Sequence, residues 1–462
     1  MKAALVSTYE LGHQPLHVAS PATALLAAGH EVRCLDLSVE PWDDQAGALV
    51  DWADIVCLSV PMHTAMRLAL QVARATKDRR PELPVCFYGL YAAMSADLTV
   101  GRLADQVIVG EYEPALVSLV SGLASSPVPG DPETVATGSV RVELARGRFG
   151  LPARHLLPPL DRYAHLSRGD EHHLVGYVEA SHGCVHRCRH CPIPAVYDGR
   201  TRLVGQDVLL ADVEQLWSMG ARHLTFGDPD FLNGPHHSQR VIRAVHSAFP
   251  DLTFDCTAKV EHLLRHRDLF PELAAAGCLF VVSAVESMNE SVLRTLDKGH
   301  TAADAALAVD LLRSHGIELR PSFLPFTPWT SVDDVVDILD FVAQKDLVAN
   351  VDPVQYGIRL LLPEGSLLLG RPELAPHLGP YDPEGLTWTW SSPDPEVDAL
   401  QSRLAGLAEQ AAATGQPLQQ TWDLVVEEVA KVKRVPASSL AASRGTVGEG
   451  EGRPRLSEPW FC

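Results

Sequence analysis

Cys184, Cys188 and Cys191 stand in the run Gly183-Cys184-Val185-His186-Arg187-Cys188-Arg189-His190-Cys191-Pro192, a C-x3-C-x2-C spacing. Thiolates this close on one loop suit a cuboidal iron–sulfur cluster, whose irons take thiolate ligands. The next cysteine along the chain is Cys256, so the loop offers three ligands where most such clusters have four. One iron is then left open, and an open metal position is what a reactive site needs. The same residues allow a zinc knuckle, with His182, His186 or His190 as fourth ligand. Zinc sites usually add a second C-x2-C pair, and the chain has none. The apolar stretch Leu174 to Ala180 reads as a strand, so the thiols follow a strand's C-terminal end, where β/α barrels gather their active sites.

The elements that must hold this loop fall into two α/β units. In the first 125 residues, strands are predicted at Lys2–Ser7, Glu31–Leu37, Asp54–Val60, Leu83–Gly89 and Gln106–Gly110. Helix-like segments separate them, among them Ala19–Ala28, closed by Gly29, and Thr64–Lys77. This alternation predicts a doubly wound parallel sheet that binds ligands beyond its strand C-termini. The run Ser125-Ser126-Pro127-Val128-Pro129-Gly130-Asp131-Pro132 breaks the pattern and opens a linker over 126–170. Alternation resumes with strands at Leu174–Ala180, His223–Gly227, Thr253–Thr257, Leu279–Ala284, Glu318–Leu324 and Val354–Leu362, six β/α units in all over 171–375. A helical extension over 376–434 and a flexible tail over 435–462 complete the chain.

Composition places the protein among intracellular enzymes. A chain of 462 residues holds two or three domains with ample core. Met1-Lys2 opens no secretory signal, and no apolar run is long enough to span a bilayer. Nine cysteines without regular pairing point to a reducing, cytoplasmic setting. A net charge of −20 argues against a nucleic-acid partner, which would require a basic patch.

The cysteine run resembles the signature of the radical S-adenosylmethionine superfamily, with His190 where an aromatic residue usually precedes the third cysteine. The resemblance implies a 4Fe–4S cluster whose open iron chelates S-adenosylmethionine. An electron from an external donor, of flavodoxin or ferredoxin type, then cleaves that molecule to a 5′-deoxyadenosyl radical. Later runs agree: Thr225-Phe226-Gly227-Asp228-Pro229-Asp230-Phe231 stands where the family touches the S-adenosylmethionine amino group. Asp228 and Asp230 are candidate acceptors for that ammonium, or alternatively turn residues beside Pro229. Ser283-Ala284-Val285-Glu286-Ser287 matches a Gly-x-Glu-Ser run, which makes Ser283 and Glu286 candidate cofactor contacts beside His190. Val292-Leu293-Arg294-Thr295-Leu296-Asp297-Lys298-Gly299-His300-Thr301 is a further family hallmark.

The first unit resembles the cobalamin-binding domain that precedes the radical core in one branch of the superfamily. Leu16-His17-Val18-Ala19-Ser20-Pro21 and Val109-Gly110-Glu111-Tyr112-Glu113 carry the match, which makes Gly110 and Glu111 candidate corrinoid contacts. The D-x-H-x-x-G motif that ligates cobalt elsewhere is absent, so a corrinoid is expected without a histidine lower ligand; His13, His17 and His63 lie near the crevice. A sheet that has lost cobalamin and only packs on the core is the alternative.

The tail Leu456-Ser457-Glu458-Pro459-Trp460-Phe461-Cys462 resembles that of radical enzymes named for a Cys/selenocysteine-Cys tail, the CUAEP/CCAEP group. In that group a second cysteine or selenocysteine and then Ala-Glu-Pro follow. The resemblance implies a longer natural product, interrupted here at a UGA codon, and a catalytic Cys462; an inert terminal cysteine is the alternative. The expected function is transfer of a methyl or other S-adenosylmethionine-derived group to a small molecule. Transfer of a 3-amino-3-carboxypropyl group, a rearrangement, or a non-catalytic iron–sulfur or cobalamin sensor or carrier remain open.

Overall fold

The computed structural model describes residues 1–125, 139–145, 149–447 and 452–458. The first unit has strands β1 (Lys2–Ser7), β2 (Glu31–Asp36), β3 (Ile55–Ser59), β4 (Val85–Tyr88), β5 (Gln106–Gly110) and β6 (Ser139–Glu143). They form one parallel sheet in the order β2-β1-β3-β4-β5-β6. Order reverses between β1 and β3, so a ligand crevice opens at their C-terminal ends. β1, β3, β4 and β5 are almost wholly buried and apolar, as strands covered on both faces must be. β6 lies in the stretch expected as linker: its residues extend the sheet past β5 instead of spacing two domains.

A hairpin, β7 (His165–Arg168) and β8 (Glu171–Val178), leads into the second unit. A short ribbon of β9 (Ser181–Gly183) and β10 (Thr201–Leu203) brackets the cysteine loop. Then follow β11 (His223–Phe226), β12 (Thr253–Thr257), β13 (Cys278–Glu286), β14 (Glu318–Phe323), β15 (Leu378–Asp382), β16 (Thr387–Trp390) and β17 (Arg455–Leu456). The sheet order is β14-β13-β12-β11-β8-β7-β17, with β8 and β11 to β14 parallel: a curled half-barrel. Two of its outer helices start at capping boxes, Thr301 with Asp304 and Ser331 with Asp334, each satisfying donors that a helix start leaves open.

Two expectations are corrected. The strand predicted over Val354–Leu362 is replaced by a 3-10 turn at Pro353–Tyr356; Gln355 accepts from Phe323 N at the end of β14, and Arg359 bridges to Phe326 just past that strand. Pro353 has no N–H to give a ladder, and Arg359 turns outward onto the Trp390 ring and Asp398. The tail read as a flexible arm is anchored at several of its described residues. Ala442 is fully buried and its N–H donates to Asp340, and Gly445 lies against the Trp422 ring. β17 pairs with β7, while Arg320 on β14 donates to the Pro454 carbonyl, so this segment spans from one edge of the half-barrel to the other. Cys462 lies outside the described residues.

Candidate active site between the two sheets

Gly183 ends β9 with φ +74°, and a Cβ there would meet the Arg200 carbonyl and the Tyr197 ring, so only glycine lets the loop turn. Asn233 steadies the first cysteine: its Oδ1 accepts from Val185 N at 3.1 Å, and its Nδ2 donates to the Gly183 carbonyl at 3.3 Å. Arg189 reaches the last carbonyls of helix Glu290–Leu296, donating to Thr295 O at 2.9 Å, where a helix end favours a cation. Burial pushes the Cys191 thiol up to about 12, the neighbouring Cys188 and Cys184 adding to the rise while Lys298 opposes it. Burial likewise pushes Cys184 up to about 11. The thiols therefore hold their protons until a metal displaces them.

This donor set fits a multinuclear cluster better than a zinc knuckle. The three sulfurs are not among the side chains whose donor atoms converge on one ion-sized volume among the described residues. Each histidine offered as a fourth zinc ligand faces elsewhere. His182 lies between Glu111 (3.0 Å) and Glu179 (3.2 Å), His186 faces His262, and His190 pairs with Glu286 at 3.1 Å.

Glu286 closes β13 at a register shift, with the unusual φ of +66°. Its Oε1 accepts from His190 Nε2 at 3.1 Å and from Lys298 Nζ at 3.0 Å. Burial alone would raise this carboxyl, but Lys298 and His190 outweigh it and hold Glu286 far below the usual carboxylate range. The fold thus brings together His190 and Glu286 and adds Lys298, whose Asp297-Lys298-Gly299-His300 run was visible in the sequence without a role. Ser283 is fully buried on β13, and its hydroxyl has no partner among the described residues. Asp228 accepts from Ala180 N at 2.9 Å and from Ser181 Oγ at 2.5 Å, and burial lifts it to about 7. Asp230 caps the turn after β11 through Leu232 N at 2.9 Å. Asp228 thus ties the end of β11 to the start of β9, and Asp230 holds the turn that follows.

The C-terminal ends of both sheets line one cavity of about 240 Å³. Pro61, Met62, Gly89, Leu90 and Gly110 face it from the first sheet, and Tyr177, Glu179, Gly183 and Gly227 from the half-barrel. Buried ion pairs cross it. His17 Nε2 stands 3.3 Å from Glu179, whose other oxygen meets His182; Glu111 takes His182 and the Tyr197 hydroxyl at 3.0 Å each. Of the crevice histidines, His17 alone lines the cavity: His13 packs on the Tyr177 ring, and His63 donates to the Gly385 carbonyl. Glu179 escaped notice in the sequence because its position shows no motif; only strand curvature turns it toward His17.

Burial alone would lower His17, but Glu179, with Glu10 behind it, outweighs burial and pushes the imidazole from 6.5 up to about 9. A pKa raised in the fold stabilises fully below the unfolded value, and that share is lost as pH climbs through the folded value. The thermal midpoint should therefore fall between pH 6.5 and about 9, and His17→Gln should flatten that slope; equal slopes in both proteins would refute the assignment.

Residues 178–342 match the radical SAM superfamily model and residues 2–120 the B12 binding domain model. Hopanoid C-3 methylase of Methylococcus capsulatus is 25% identical over 324 residues, 68% of this chain and 62% of that protein. Hopanoid C-2 methylase of Rhodopseudomonas palustris is 23% identical over 278 residues, 58% of this chain and 48% of that protein. The chain thus spans less than two thirds of the length of either relative. Among solved structures, the radical S-adenosylmethionine methyltransferase TsrM of Kitasatospora setae, with cobalamin and [4Fe-4S] cluster bound, superposes with TM-score 0.64 at 17% identity, covering 94% of this chain and 99% of that one. The cobalamin-dependent S-adenosylmethionine radical enzyme OxsB, with aqua-cobalamin and S-adenosylmethionine bound, gives 0.69 at 14% identity, covering 94% and 70%. These likenesses show the shared fold. The two matched domains imply a 4Fe–4S cluster, S-adenosylmethionine and cobalamin as cofactors.

Proposed function

We propose that this chain, which pairs a B12 binding domain with a radical SAM domain, is a cobalamin-dependent radical S-adenosylmethionine methyltransferase acting on a small molecule. The shared cavity carries the reading: the crevice of the first sheet and the mouth of the half-barrel open into one space beside Gly183, the residue before the first cluster cysteine. When bound, the cluster supplies an electron and an open iron for S-adenosylmethionine, and the corrinoid supplies a cobalt that takes and gives a methyl group. Cys184, Cys188 and Cys191 would hold the cluster, and Lys298 offsets the charge of their thiolates. Glu286, kept ionised, would accept from an ammonium or a ribose hydroxyl, with His190 beside it. Asp228 and Asp230 shape the strand end that such a ligand meets. Gly110 and Glu111 would border the corrinoid.

His17 is already engaged by Glu179 and by the Tyr112 hydroxyl at 2.6 Å, which supports a corrinoid without imidazole coordination. Anaerobically loaded protein should show a cobalt spectrum lacking an imidazole ligand, unchanged in His17→Gln. A nitrogen-ligated spectrum that disappears in that variant would overturn this part.

The run Glu458-Pro459-Trp460-Phe461-Cys462 supports the narrower CUAEP/CCAEP reading and a catalytic Cys462. We further infer an external flavodoxin- or ferredoxin-type donor and a cytoplasmic setting. The eight described cysteines are all free, which suits a reducing compartment. No helix among the described residues is long and apolar enough to cross a membrane. The deciding experiment supplies methyl-deuterated S-adenosylmethionine, a reductant and candidate small molecules. Deuterated methyl product together with S-adenosylhomocysteine is expected; 5′-methylthioadenosine would indicate 3-amino-3-carboxypropyl transfer and overturn the reading.

A further inference from the structure

His186 on the cysteine loop, Asp230 after β11 and His262 in the helix Val260–Arg265 after β12 converge from three separate connections of the half-barrel. Their side chains are almost sealed from solvent, 12%, 2% and 4% exposed. His262 Nδ1 lies 2.8 Å from Asp230 Oδ2, and His186 Nε2 lies 3.5 Å from both. Ligands about 2.1 Å from one ion, at tetrahedral or octahedral angles, stand about 3.0–3.4 Å apart. The triangle's edges of 2.8, 3.5 and 3.5 Å fall within a few tenths of an ångström of that range.

One oxygen of the triangle lacks an aligned donor among the described residues. Asp230 Oδ1 is taken by Leu232 N, which fixes the carboxylate, while Oδ2 is buried without an aligned donor. The ring edge of His262 faces His186 Nε2 with its Nε2 at 3.1 Å, so two imidazoles confront each other with only a proton or an ion to reconcile them. Glu261 Oε2 stands 3.8 Å from His186 Nδ1, outside hydrogen-bond reach. Lys259 Nζ, 3.2 Å from that same nitrogen, is paired with Glu261 at 3.4 Å. Lys259 and Arg265 both pair with Glu261, which leaves Asp230 as the carboxylate offered to a cation.

We propose that His186, Asp230 and His262 bind one divalent transition-metal ion of zinc type, separate from the three thiols. Two imidazoles and a carboxylate suit zinc or iron(II) and disfavour magnesium or calcium, which prefer all-oxygen sites. The ion ties the cysteine loop to the ends of β11 and β12, so the loop is held in place by a site that contains no sulfur.

Zinc is the probe, because it is distinct from the iron and cobalt of the cofactors. Cluster-loaded protein is exposed to Zn²⁺, desalted, and measured for zinc content and zinc-edge X-ray absorption. One zinc per chain with nitrogen and oxygen neighbours alone is expected. Asp230→Asn and His262→Gln should lose that zinc while keeping cluster absorbance. Substoichiometric zinc in the unmodified protein, or sulfur in the zinc shell, overturns the site; that measurement decides even where a variant fails to fold. Zinc retained equally by both ligand variants also overturns it.

Discussion

Replacing any one of Cys184, Cys188 or Cys191 by alanine is expected to abolish the iron-dependent absorbance of anaerobically purified protein and, with it, all cleavage of S-adenosylmethionine. The loop presents three thiols, so no spare ligand from the same run takes over, and the described histidines nearby are engaged by Glu111, Glu179, His262 and Glu286. Protons held near 12 at Cys191 and 11 at Cys184 must leave on assembly, so cluster loading should also quicken with rising pH. The loss should be complete rather than graded, because a cluster held by two thiolates exposes its irons to solvent and hydrolysis. Fold is checked by circular dichroism. β8 and β11 on either side of the loop carry their own apolar packing, so secondary structure should persist in each variant. Full cluster content in any of the three variants would remove the basis of the functional reading.

The second large effect is structural and lies at Arg154. This side chain is 1% exposed, and its guanidinium grips Asp212 through two contacts of 2.8 and 3.0 Å. It also donates to the Gln14 carbonyl at 3.3 Å and to the Tyr177 carbonyl at 2.6 Å. One charged fork therefore joins the loop after β1, the end of β8 and the helix Gln206–Ser218, and so fixes the separation of the two sheets at the cavity. Asp212→Ala leaves the guanidinium buried and uncompensated, which typically costs about 3–5 kcal/mol. The denaturant midpoint of the main unfolding transition should fall accordingly. Corrinoid retention should fall with it, since Tyr177 and Leu11 border the shared cavity. The double variant Arg154→Met/Asp212→Leu should recover most of the stability, because it removes both charges from the interior. A single Asp212→Ala with an unchanged midpoint would show that the fork is not what holds the sheets in register.

Local signals in the chain determined a good deal. Largely apolar stretches five to seven residues long, parted by amphipathic ones, placed β1 to β5 and β11 to β14 within a few residues, because strands buried on both faces carry their own signature. The C-x3-C-x2-C loop was legible because a metal centre demands particular side chains at fixed spacing. Glu286 and His190 stood out as candidates through their runs, and the fold sets them 3.1 Å apart. The tertiary structure alone decided what required contact across sequence distance. β6 and β17 are strands only because β5 and β7 offer them an edge, so the first was read as linker and the second as a loose arm. The strand foreseen at Val354–Leu362 failed because Pro353 and the outward Arg359 left it no ladder. Glu179 and His17, 162 positions apart, have no shared pattern and meet through strand curvature. Periodicity records which face of an element is buried, and spacing records ligands on one loop; neither records which distant charge a buried group must find to leave water.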